Sequence, residues 1–108
     1  MRVKSNQKVI AERVEVADTF FKRFKGLMGR KSIDDKAGML FYGCSSIHSF
    51  FMRFTIDVVY LSKDFTVVGV ETIAPWRIGR IFKGARNVLE LAQGAAKDIK
   101  EGMVLEAE

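Results

Sequence analysis

Two runs rich in β-branched residues, Asp57–Leu61 (DVVYL) and Phe65–Ile73 (FTVVGVETI), stand three residues apart. Val, Ile, Tyr, Phe and Thr favour the pleated, half-buried backbone of a strand. The intervening Ser62-Lys63-Asp64 has the chemistry of a turn. The pair reads as a β-hairpin. Pro75, the only proline, closes the second run.

The remaining segments follow the same theme. Val9, Ala11, Val14 and Val16 suggest a first strand, with a slip in alternation that a bulge near Glu12–Arg13 would repair. Gly38–Tyr42, Asn87–Ala92 and Met103–Glu106 read as strands, and Ile47–Phe54 as an extended piece. Asp18 or Thr19 is placed to cap a helix that carries Phe20, Phe24 and Leu27 at helical spacing and ends at Gly26–Gly29. Gln93–Lys100 reads as a second short helix, stopped by Gly102. Strands outnumber helices and no regular βαβ alternation occurs. The expected fold is α+β and β-dominated: a mostly antiparallel, barrel-like sheet with one or two short helices, in a single domain over residues 1–108.

Composition narrows the class. Apolar residues make up 48% of the 108 and charged residues 29%, which predicts a globular chain rather than a disordered one. A single cysteine excludes an intrachain disulfide and a multi-thiolate zinc site. MRVKSNQKVIAER lacks the apolar stretch of a signal peptide, and no run approaches the roughly 20 apolar residues of a membrane span. A cytoplasmic protein is expected. Asn and Gln total four beside many Lys, Arg and Glu, which leans towards a thermophilic source.

The net charge of +5 sits mainly in residues 1–36, where ten Lys/Arg face five Asp/Glu. Such an excess is either a solvated surface or a patch for a polyanion. Three motifs fail on inspection. GLMGRKS is not a phosphate loop, because Arg30 separates Gly29 from Lys31 and no glycine stands five before Gly29. Gly26-Leu27-Met28-Gly29 matches the bare G-x-x-G clamp of one RNA-binding domain type, but its inner residues are apolar where basic ones are wanted. One histidine cannot supply a histidine-pair zinc motif.

Gly43–Asp57 (GCSSIHSFFMRFTID) gathers the lone cysteine, the lone histidine, an arginine and an aspartate among phenylalanines. If Ile47–Phe54 is extended, His48, Phe50, Met52 and Phe54 share one face. His48 is then either a partly buried histidine bonded to a carbonyl or a pocket histidine able to move a proton. Cys44 reads as a partly buried, inert thiol. Asp57 either caps a turn or points into a cleft. Glu90 alternates against Leu89 and Leu91, so it is solvated or, in a curled sheet, paired with Arg53 or Arg86.

GLMGR (Gly26–Arg30), GMLF (Gly38–Phe41), HSFFMRFTID (His48–Asp57), Pro75 and VLELAQG (Val88–Gly94) fall in one order and spacing. In these, nearly the whole chain resembles the domain-of-unknown-function family one hundred and ninety-two. The family's histidine/phenylalanine–tryptophan–methionine stretch maps to His48–Met52, with Phe51 where tryptophan is common and Arg53 where lysine is common. Its threonine-then-aspartate turn maps to Thr55 and Asp57, and its leucine–glutamate–leucine strand to Val88–Leu91. The resemblance implies a compact β-rich α+β domain without an established activity, often preceded in other members by a secretion or lipoprotein leader.

The leading functional expectation is a small-molecule or carbohydrate binding or accessory module. Its pocket lies around His48, with Met52, Arg53, Thr55, Asp57 and Glu90 as ligand-binding residues. Alternatives are an acid–base enzyme pairing His48 with Asp57 or Glu90, and a nucleic-acid-binding module. The latter would use the basic first third and the Arg77–Arg86 loop, with Trp76 and Phe82 for stacking. No cofactor, no metal and no membrane are expected, and the protein is read as a monomer.

Overall fold

A computed structural model describes residues 1–6, 8–17, 19 and 26–108. Among these residues eight strands are found: β1 (Val3–Ser5), β2 (Lys8–Ala11), β3 (Arg13–Val16), β4 (Ala37–Tyr42), β5 (Ile56–Leu61), β6 (Val67–Ile73), β7 (Asn87–Ala92) and β8 (Glu106–Ala107). They form a three-stranded sheet, β2-β1-β8, and a five-stranded sheet, β3-β4-β7-β5-β6. The expected hairpin is β5–β6, and every strand pairing is antiparallel except β3 with β4.

The expected barrel is not formed. The larger sheet ends at β3 and β6, which do not pair. The outer edge of β6 is instead taken by the C-terminal segment: Val67 N–H donates to Met103 O (2.7 Å), Gly102 N–H donates to Val67 O (2.8 Å), and Thr66 bridges Val104. An edge satisfied in this way has no need to close on β3.

Three other local expectations are corrected. The slip between Ala11 and Val14 is not a bulge. The chain bends at Glu12 and changes sheets, β2 pairing β1 and β3 pairing β4. The helix expected over 93–100 is a run of turns opened by Gly94 at φ +91°, and no helix occurs among the described residues. The helix expected after Asp18 or Thr19 falls largely on residues 18 and 20–25, outside those described. Ile47–Phe54 is not extended, because Phe50–Phe51 make a turn with Phe51 at φ +65°.

β5 and β7 are buried at all six of their positions. Strands buried without alternation need cover on both faces. One face (Leu40, Val59, Leu89, Leu91) packs on Val3 and Ala11 of the small sheet and on Ile99 and Leu105. The other (Met39, Phe41, Val58, Tyr60, Val88) packs on Leu27, Met52, Ile73 and Ala85. Glu90, between Leu89 and Leu91, therefore turns towards this second core and not towards water. The 77–86 loop is pinned to the same side. A Cβ on Gly69 of β6 would stand 2.1 Å from the Phe82 ring, so only glycine admits that ring. Phe82 packs on Tyr60 at 4.6 Å between centroids and carries the Arg80 guanidinium on its ring.

Candidate binding cleft

The chain leaves β4 at Gly43 and crosses the second face of the large sheet as an irregular loop. Backbone bonds hold it there: Cys44 N–H to Arg86 O (2.9 Å), and Gly79 N–H to Ile47 O (2.9 Å). Ser49, 1% exposed, is the hub. Its hydroxyl donates to Ala74 O (2.6 Å) and accepts from Arg77 N–H (2.8 Å), and its backbone joins Arg77 and Trp76. Buried polar groups need such partners, and here one serine locks two loops together.

Between this loop and residues 26–28 lies an open cleft of about 210 Å³. β7 contributes Glu90 and β4 contributes Phe41; Leu27 and Met28 line one side, and Cys44, His48 and Met52 the other. Glu90 is 6% exposed and makes no hydrogen bond or ion pair with any described residue. Burial pushes its carboxyl up from 4.5 to about 8, so it is mainly protonated at neutral pH. The His48 imidazole is exposed, stacks on Phe50 (4.8 Å) and accepts the Phe50 N–H at Nδ1 (3.2 Å). The neutral ring then carries its proton on Nε2. The Cys44 thiol donates to Ser46 O at 3.0 Å.

Beyond His48 the rings continue outwards. Phe50 lies 5.9 Å from Trp76, and Phe51 lies 4.7 Å from it. Phe51 and Trp76 are both more than half exposed, and both hold left-handed backbone (φ +65° and +64°), which non-glycine residues rarely adopt.

Of the six expected ligand-binding residues, His48, Met52 and Glu90 meet at the cleft. Arg53 is exposed and Thr55 half-buried, and neither lines it. Asp57 is elsewhere: buried on β5, it accepts Thr72 Oγ1–H (2.8 Å), Gly94 N–H (2.9 Å) and Ala96 N–H (3.1 Å). It caps the turns after β7. Glu90 is neither solvated nor paired with Arg53 or Arg86, because the face it occupies is a second core. Phe82 is half-buried under Arg80 and cannot stack on a base. Tyr60, whose phenol donates to Glu71 Oε2 (2.6 Å), is held neutral far above its ordinary range by burial and that bond.

Cys44 and Phe41 line the cleft although the sequence reads them first as an inert thiol and a core residue, and Ser49 has no expected role there. Phe41 was legible by parity with Met39, the β4 residue opposite Glu90. Ser49 had no signal in the sequence, since its role depends on the 74–77 loop. Among the described residues no three His, Cys, Asp or Glu side chains stand close enough to hold a metal ion.

The profile of the DUF192 family, described as an uncharacterised ACR, matches residues 1–107. The chain belongs to this family. Among its relatives, a UPF0127 protein of Thermococcus sibiricus is 37% identical over 95 residues, covering 84% of this chain and 62% of its own length. A UPF0127 protein of Pyrococcus horikoshii is 40% identical over 90 residues, covering 81% of this chain and 78% of its own. These thermophilic archaeal relatives agree with the composition. The chain thus spans less than two thirds of the first relative.

Two solved structures share the fold. A protein of unknown function from Novosphingobium aromaticivorans superposes with TM-score 0.83 at 23% identity, over 98% of this chain and 82% of that one. A Sinorhizobium meliloti protein, whose name proposes a transcription regulator, superposes with TM-score 0.77 at 24% identity, over 97% and 89%. At these identities the likeness is one of fold alone. No helix among the described residues is long and apolar enough to cross a membrane.

Proposed function

We propose that the chain is a small-molecule-binding module whose ligand enters the Glu90–His48 cleft. The observation that carries this reading is Glu90: a carboxyl nine-tenths buried, without a partner among the described residues, bordering an open cleft. A buried polar group left unpaired is costly to stability, and such groups concentrate where a ligand completes them. The cleft is smaller than the roughly 300–1,000 Å³ pockets of drug-sized ligands, so the ligand is a compact one. The exposed Trp76, stacked on the half-buried Phe50 beside His48, offers a flat face of the kind a sugar ring covers. A monomer working in the cytoplasm, where a lone thiol such as Cys44 stays reduced, belongs to the same proposal.

The test is an NMR screen of metabolites and oligosaccharides. A binder shifts the amides of Cys44, Ile47 and His48, and Glu90→Gln and His48→Ala lose the response while keeping the folded spectrum. A screen that moves none of these resonances removes the reading.

A second reading, single-stranded nucleic acid, draws on Trp76 exposed beside Arg77, Arg80, Lys83 and Arg86 in a segment without an acid. It predicts oligonucleotide retention that weakens steeply with salt and is lost in Trp76→Ala.

A further inference from the structure

We propose, building on the binding-module reading, that the cleft receives the ammonium head of a small aliphatic amine, with Glu90 as its counter-ion. The sequence holds 18 Lys and Arg, yet no described residue lining the cleft is either. Its ionisable lining is Glu90, Cys44 and His48. An anionic ligand would meet a buried carboxyl with no cation among the described lining residues to offset it.

The surroundings of Glu90 point the same way. Its neighbours across the sheet are Met39 on β4 and Val58 on β5. The titratable groups facing it are the Tyr60 phenol, with Glu71 behind it, and Cys44 and His48 at the cleft. None of these is a fixed cation. An arriving ammonium supplies a charge that no described residue of the lining carries, and its N–H groups supply donors that no described residue offers Glu90. In the event, the alkylammonium and the Glu90 carboxylic acid become an ammonium–carboxylate pair, and one proton leaves to water. Phe41, Leu27, Met28 and Met52 are apolar or soft, which suits a short hydrocarbon body.

The experiment titrates the whole chain with n-butylammonium, n-butanol and butyrate, followed by NMR and calorimetry from pH 6 to 9. An alkylammonium stays charged over this range. Because only ionised Glu90 can pair, apparent affinity rises about tenfold between pH 6 and 7 and about fivefold between pH 7 and 8, then levels off. Nearly one proton is released per amine bound at pH 7, and Glu90→Gln abolishes binding. Amine binding that ignores pH, binding of the alcohol or the acid as tight as that of the amine, or no binding at about 50 mM, where a Kd near 1 mM would saturate, overturns the proposal. The wild-type pH series stands whether or not the variant folds.

An Nα-acetyl-lysine amide run in parallel separates two sources of the same head group. Binding equal to n-butylammonium assigns a free amine, and binding tenfold tighter assigns a lysine on another protein. If the amines fail while another compound shifts Cys44 and His48, the cleft reading survives and the cation falls. If every class fails, both fall.

Discussion

Glu90→Gln probes the cleft through stability alone, with no ligand required. Unfolded, the Glu90 carboxyl ionises near 4.5; in the native chain it holds its proton to about 8. Over that interval the native state binds a proton the unfolded chain has released, so stability falls as pH rises. The contribution is fully present below pH 4.5 and lost on passing pH 8. The slope approaches about 1.4 kcal/mol per pH unit, or about 5 kcal/mol across the interval. Water entering the open cleft reduces this figure. Glutamine has nearly the same shape and no proton to lose, and every other titration cancels between the two proteins. Urea unfolding of both chains at pH 5, 6, 7 and 8 reads the difference directly. Glu90→Gln should gain several kcal/mol relative to the parent between pH 5 and pH 8. Parallel curves, agreeing within about 0.5 kcal/mol, would refute a desolvated, unpaired Glu90.

Other perturbations separate scaffold from site. Asp57→Ala strands the buried Ala96 N–H, the part-buried Gly94 N–H and the Thr72 hydroxyl and should cost about 2–3 kcal/mol by urea unfolding, whereas Thr72→Val should cost about 1. Ser49→Ala breaks the tie between the 48–52 and 74–77 loops; about 1–3 kcal/mol of lost stability, with faster amide exchange at Trp76 and Arg77, is the expected result. Gly69→Ala drives a methyl into the Phe82 ring and should cost about 1–3 kcal/mol, with the ring contacts to Tyr60 lost from NOE spectra.

Much of the fold was legible because the signals were local. The β5–β6 hairpin, β4 and β7 are dense in β-branched or apolar residues and bounded by turn chemistry, and they fall where expected. Failures arose where the third dimension overrides local pattern. The slip at Glu12–Arg13 was a true anomaly with two solutions, a bulge or a change of sheet, and only the partner strands decide between them. Phe50–Met52 reads as strand by composition, yet Ser49 holds Phe51 and Trp76 in left-handed turns. Parity correctly turned Glu90 away from Leu89 and Leu91, but parity cannot say whether the far side is water or a second core. Asp57 in its strand gave no hint of the Gly94 and Ala96 N–H groups, which arrive from a turn about forty residues on. Arg53 and Thr55 belong to the expected site as polar positions of the family motif, and the turn at Phe51 separates them from it.

The carboxyl of Glu90 is largely desolvated and has no partner among the described residues, although it borders an open cleft. A carbon-13 NMR titration of the Glu90 side-chain carboxyl in the free protein tests this most directly. A midpoint near 8 is expected. A midpoint near the ordinary 4.5 would mean that the carboxylate is hydrated or already paired, and would contradict it.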